Sequence, residues 1–201
     1  MLNTSRALLL SGLLGSSLAH AMDYRIETVT EGLEHPWSLA FLPDGRMLVT
    51  ERVGRLRIIE QDGSLNPQPV GGVPEGLVAA QAGLMEVILD PEFASNQQLY
   101  LSYAYGTTQA NNTRLSKARL VDGQLQDVQV LFTAQPAKSG AAHYGGRMAW
   151  LPDNTLVLTL GDGFDWREQA QNTSNHLGKI VRLNRDGSAP KDNPLVGQHR
   201  L

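Results

Sequence analysis

One phrase recurs three times along this chain: an apolar run, a proline–acid turn, a second run, then a third. It appears as "WSLAFLPDGRMLVTERVGRLRIIEQDG" at residues 37–63, turning at Pro43-Asp44. It returns as "LMEVILDPEFASNQQLYLSYAYG" at 84–106, turning at Pro91-Glu92, and as "GRMAWLPDNTLVLTLGDG" at 146–163, turning at Pro152-Asp153. The third runs are "GRLRIIEQDG", "NTRLSKARLVDGQL" (112–125) and "GKIVRLNRDGS" (178–188). Repetition of this kind constrains the fold strongly. Each unit is a supersecondary element that cannot bury its apolar face alone, so neighbouring units must cover one another.

Within each unit the apolar residues alternate: Leu48 and Thr50; Leu99, Leu101 and Tyr103; Leu156, Leu158 and Leu160. Period two is the signature of a strand, not of a helix with its 3.6-residue period. Asp62-Gly63, Asp122-Gly123 and Asp186-Gly187 supply tight turns. Antiparallel units of roughly 50 residues predict an all-β propeller with four strands per blade. A β-sandwich shares the turn spacing but not the repeated order of phrases. Trp37, Phe41 and Trp150 fall in predicted strands and are expected in the core. A propeller ring needs roughly four to eight blades, and residues 22–201 supply about three to four. The chain therefore reads as an incomplete propeller domain, the N-terminal half of a longer protein.

Residues 1–21 stand apart from the repeats. Arg6, the apolar stretch Ala7–Leu18 and the small-x-small site Ala19-His20-Ala21 predict a secretory signal peptide, hence a periplasmic protein. The apolar stretch is too short to span a bilayer, and no span is expected after cleavage. The chain has no cysteine, which rules out disulfides and a thiolate nucleophile. A formal charge of −3 with no basic run argues against a nucleic-acid partner. Serine-hydrolase elbows, H-E-x-x-H and phosphate-binding loops are absent from residues 22–201. "GDGFD" lacks the spaced ligands of an EF-hand loop.

The phrases "HPWSLAFLPDGRMLVTER", "QAGLMEVILDPEF", "HYGGRMAWLPDN", "LTLGDG" and "LGKIVRLNRDGSAPKDNP" occur in that order. As an ordered set they resemble the soluble PQQ-dependent aldose sugar dehydrogenases, the glucose/sorbosone dehydrogenase family, from about residue 25 to the last residue. The resemblance implies a six-bladed propeller that binds pyrroloquinoline quinone (PQQ) at the mouth of its channel with help from Ca²⁺. It implies oxidation of the C1 hydroxyl of aldose sugars to lactones, with an external electron acceptor. It also implies that the calcium ligands and several cofactor-binding cations lie beyond Leu201, so that residues 1–201 alone should be inactive.

His143 is the candidate general base. Oxidising an alcohol by hydride transfer to a quinone also removes the hydroxyl proton, and a neutral imidazole suits that task. Gly145 and Gly146 permit backbone conformations that could aim the ring inward, and the family's base sits in this H-x-x-G-R context. Asp162 ends the strand that begins after His143; it is either an ordinary Asp-Gly turn residue or, by resemblance, the partner that orients the base. Gln81, by resemblance, binds the cofactor through its amide. Arg147 could pair with a cofactor carboxylate or hold a blade interface. Glu51-Arg52 reads as channel-facing or as an internal ion pair. Ala142 departs from members that carry an acid there, which touches only a secondary polar contact. Two other readings share the scaffold: a calcium-dependent lactonase and a non-catalytic binding propeller.

Overall fold

In a computed structural model, residues 24–194 are described; the signal-peptide segment lies outside them. They form three antiparallel sheets in chain order. The first contains β1 (Pro36–Phe41), β2 (Met47–Glu51) and β3 (Arg55–Ile59). The second contains β4 (Leu84–Leu89), β5 (Gln98–Gly106), β6 (Asn111–Val121) and β7 (Gln124–Thr133), with the single helical turn α1 (Phe93–Asn96) between β4 and β5. The third contains β8 (Gly145–Trp150), β9 (Leu156–Leu160) and β10 (Ile180–Leu183). Each sheet is an up-and-down meander whose first strand lies beside the first strand of the next sheet, as in successive propeller blades.

The repeated phrases fold alike for local reasons. In the first unit the Leu42 N–H reaches the Arg46 carbonyl and Asp44 accepts the Arg46 N–H; in the third, Leu151, Thr155 and Asp153 make the same pair of bonds. The second unit carries Glu92 in place of the aspartate and extends the turn into α1. The turns at Asp62 and Asp186 are also equivalent, each carboxylate accepting both the N–H and the hydroxyl of the serine two residues on. Asp122 (φ 48°) and Gly123 (φ 73°) both have positive φ, as a two-residue hairpin between β6 and β7 requires.

Packing between blades follows the alternation. Leu99, Leu101 and Tyr103 face the first blade and join Leu48, Leu56, Leu84 and Val87 in one core. Tyr100, on the opposite face, joins Leu115, Met148, Leu156, Leu158 and Leu183 in a second core. Hydroxyls repeat the pattern: Thr50 on β2 donates to the Met85 carbonyl on β4, and Ser102 on β5 donates to the Gly146 carbonyl on β8.

Two expectations need correction. Only the second sheet has four strands among the described residues. After β3 the chain runs alongside as Asn66-Pro67-Gln68-Pro69-Val70, bonding through the Asn66 and Val70 N–H groups, but two prolines remove the donors a regular ladder needs. Phe41 is not core: it is 71% exposed on the outer face of the first sheet. Trp37 and Trp150 are half-buried. The Trp150 indole donates to the Leu89 carbonyl and meets the Tyr100 ring edge-on at 5.0 Å, which couples the second and third blades.

Candidate active site at the starts of the inner strands

The residue at which the chain approaches the innermost strand adopts positive φ in every unit: His35 (50°), Ala80 (46°) and His143 (50°). Non-glycine residues rarely take this conformation. The loops that carry Ala80 and His143 line a cleft of about 510 Å³, with Trp37, Arg52, Gln81 and Met85 completing its walls.

His143 sits in a network that fixes it from three sides. Its Nδ1 lies 2.8 Å from Asp162 Oδ1. Its backbone N–H donates to Gln81 Oε1 at 2.9 Å, and its carbonyl accepts the Gly163 N–H at 3.2 Å. The Phe164 ring meets the imidazole edge-to-face at 5.1 Å. The side chain nevertheless stays 44% exposed, so the ring is oriented yet open to the cleft. Asp162 accepts the Phe164 N–H at 2.8 Å as well, and these two bonds, the Phe164 one first, hold its carboxyl below the usual carboxylate range.

The glycines around the base are there for space. A Cβ on Gly145 would fall 2.6 Å from the Thr159 carbonyl oxygen, and one on Gly146 would fall 2.7 Å from Met85 Sδ. Both also have positive φ, so His143 is aimed by a backbone only glycine can follow at the next positions.

The other expected residues divide. Gln81 touches the His143 loop directly, using Oε1 and leaving its Nε2 amide without a partner among the described residues. Arg147 pairs with Glu86 on β4 at 2.9 Å and stacks over Trp37 of β1 at 4.1 Å, tying together the inner strands of all three blades. Of the two roles open to Arg147, the geometry realises the blade interface, while 59% exposure leaves the guanidinium accessible to a second partner. Glu51 is the internal ion pair, fully buried against Arg55 at 2.6 Å and Arg57 at 3.5 Å. Arg52 instead reaches the Ala80 carbonyl across the cleft and pairs with no carboxylate among the described residues.

Sequence reading did not find Lys138, Tyr144, Asn111 or Phe164. Phe164 could have been suspected from its place two residues after Asp162. A lone lysine and a lone asparagine carry no such signal.

Comparisons with known proteins bear on the family and the fold. A sequence model described as Glucose / Sorbosone dehydrogenase matches residues 33–201. Aldose sugar dehydrogenase YliI of Escherichia coli is 36% identical over 85% of this chain and 47% of its own length. A solved glucose dehydrogenase superimposes with a TM-score of 0.81 at 43% identity, over 86% of this chain and 51% of that one. The PQQ-bound aldose sugar dehydrogenase of Streptomyces coelicolor superimposes with a TM-score of 0.74 at 29% identity, over 86% and 51%. The chain thus spans about half the length of the relatives it matches. An all-β propeller is the fold these neighbours share with it, and the chain belongs to the glucose/sorbosone dehydrogenase family.

Proposed function

We propose that the blades described here carry part of the active site of a PQQ-dependent aldose dehydrogenase that oxidises a C1 hydroxyl to a lactone. The observation that carries this reading is the His143–Asp162 hydrogen bond beside an open cleft with polar and cationic walls. The donor set fits a planar, polyanionic quinone. Trp37 offers an aromatic surface, and Arg52 and the Gln81 amide Nε2 offer a cation and a donor that no acid and no acceptor among the described residues takes. Gln81 and Arg147 are proposed to bind the cofactor, Arg147 through the nitrogens that Glu86 leaves free, with Arg52 as a third contact. Bound PQQ would supply the two-electron acceptor.

The chain's own residues then have defined tasks. Asp162 is ionised and accepts from Nδ1–H, which leaves the lone pair of a neutral imidazole on Nε2. Nε2 is the atom proposed to take the C1 hydroxyl proton as the C1–H bond breaks, so that charge does not build on the sugar oxygen. Gln81, bonded to the His143 backbone, holds the loop while its amide faces a ligand. Ca²⁺ is proposed by family resemblance and is assigned to no described residue. The activity is proposed for the closed ring to which these blades contribute, and residues 1–201 alone are proposed not to turn over.

Export to the periplasm is likewise proposed, from the motif at residues 1–21. N-terminal sequencing of the mature protein tests it, and a chain still beginning at Met1 would refute it. No helix among the described residues is long and apolar enough to cross a membrane. The proposed chemistry is tested on the protein with its ring closed, by following lactone formation from an aldose with an artificial electron acceptor and with PQQ added or withheld. PQQ-dependent lactone supports the reading. Lactone hydrolysis without PQQ would favour a lactonase, and neither activity in a PQQ-binding protein would leave a binding propeller.

A further inference from the structure

Lys138 is 3% exposed and pairs with no carboxylate among the described residues, which is costly for an ammonium unless its placement matters. Its Nζ donates to Asn111 Oδ1 at 3.1 Å and lies 3.9 Å over the Tyr144 ring. The Tyr144 hydroxyl donates to the same Asn111 oxygen at 2.7 Å. Asn111 is itself immobilised. Its Nδ2 donates to the Thr107 and Gly140 carbonyls, and its backbone pairs with that of Lys138 in both directions at 2.9 Å. The lysine stem packs on the loop after Asp162 so closely that a Cβ on Gly163 would fall 2.4 Å from Lys138 Cδ. Lys138 therefore touches the residue that follows the base and the residue that follows its acid. The Tyr144 carbonyl joins the same two loops by accepting the Gly161 N–H at 2.8 Å.

We propose that Lys138 is a positioning residue for the His143–Asp162 pair, its buried ammonium clamping the two loops from behind and holding Asp162 by its charge. The electrostatics of the burial point the same way. Burial pulls the Lys138 ammonium down to about 8, and Asp162 is the anion that opposes that fall. The groups around it are Asp162 and His143 on the two loops and the Tyr144 phenol, which burial pushes up to about 12. Arg167 stands over Phe164 at 4.8 Å and also acts on Asp162. The clamp thus has an alkaline edge, where the ammonium loses its charge while Arg167 still acts on Asp162.

The test follows the lysine Cε signals of the protein by NMR; residues 1–201 contribute Lys117, Lys138, Lys179 and Lys191. Lys138→Arg identifies the signal; should that variant not fold, Lys138→Gln identifies it instead. The proposal expects a Lys138 midpoint near 8 that falls by about half a unit or more in Asp162→Asn, where the opposing anion is gone. A midpoint in the ordinary lysine range, or one that Asp162→Asn does not move, overturns it. The catalytic consequence rests on the dehydrogenase reading and is measured separately. PQQ-supported turnover should decline above about pH 8 in the native protein and persist to higher pH in Lys138→Arg, whose guanidinium stays charged. An identical alkaline decline in both overturns the positioning role. A coupled Lys138–Asp162 titration in a protein without turnover supports the clamp and refutes only the dehydrogenase reading.

Discussion

Gly161→Ala is the substitution that probes the site most selectively, because it adds one methyl group directly behind the base. The new Cβ would lie 1.8 Å from the His143 carbonyl oxygen, 2.2 Å from its carbonyl carbon and 2.8 Å from the Tyr144 nitrogen. All three are backbone atoms, so no flexible side chain can yield. Contacts under 3.0 Å are essentially never formed by real Cβ atoms, so the His143 carbonyl must retreat by about 1.2 Å, from 1.8 Å to at least 3.0 Å. That shift strains the Gly161–Tyr144 bond at 2.8 Å and the Gly163–His143 bond at 3.2 Å, and it carries the imidazole with it. Overpacking of this kind costs about 1–3 kcal/mol of stability, and an ångström of misplacement at a reacting group costs about 10²-fold in rate. The assay is substrate-saturated, dye-linked turnover of the PQQ-loaded protein, run beside urea unfolding. Gly123→Ala is the control: its Cβ meets nothing within 4 Å, and its positive φ alone should cost about 1 kcal/mol with turnover unchanged. A folded Gly161→Ala protein whose turnover stays within about threefold of the native value would refute the reasoning.

Asp90 ties the second blade to the third through Arg185, with Tyr100 and Asn96 of its own blade and the Glu92 N–H completing its shell. Burial raises its carboxyl, but the hydrogen bonds and Arg185 together outweigh that, and the carboxyl lies below its usual value. A depressed carboxyl stabilises the fold above its unfolded value, and the contribution is lost as pH falls through the folded value. Asp90→Asn should therefore cost about 2 kcal/mol at neutral pH and flatten the loss of stability below about pH 4. Urea midpoints across pH measure this, and an unchanged acid limb would count against it. Arg147→Ala should cost about 1 kcal/mol, because nearly buried Glu86 loses its cation. It should also weaken PQQ binding by about tenfold, a charge-assisted contact being worth roughly that much. Lost stability with undiminished PQQ affinity would leave Arg147 to the blade interface alone.

The repeat was legible because its turns are chemical as well as rhythmic. Pro43-Asp44 and Pro152-Asp153 set the same hydrogen bonds, and Asp62 and Asp186 each bind the serine two residues on, Ser64 and Ser188. Which faces are buried was less legible. Period two marks Leu99, Leu101 and Tyr103 correctly, yet Tyr100 and Ser102 between them are also buried, because a middle blade has a neighbour on each side. Phe41 shows the converse: an aromatic in a strand carries no sign of which face its sheet leaves uncovered. The missing fourth strand of the first blade was visible in Pro67 and Pro69, whose lost donors outweigh the expectation from repetition. At the site, His143, Asp162 and Gln81 were found by motif, and the structure brings all three together. Lys138 and Tyr144 lie on the loop between β7 and β8, and they meet Asn111 only because the start of β6 pairs with that loop. No spacing in the chain encodes that contact.

If His143 removes the proton and the scaffold around it serves that act, its loss should spare cofactor binding and stop the chemistry. Turnover and PQQ affinity of His143→Asn are therefore measured together on the PQQ-loaded protein with its ring closed. PQQ should bind within a few-fold of the native protein, and aldose turnover should fall by at least about 10²-fold. Turnover within about threefold of the native protein, with PQQ bound, would remove His143 from the role of base.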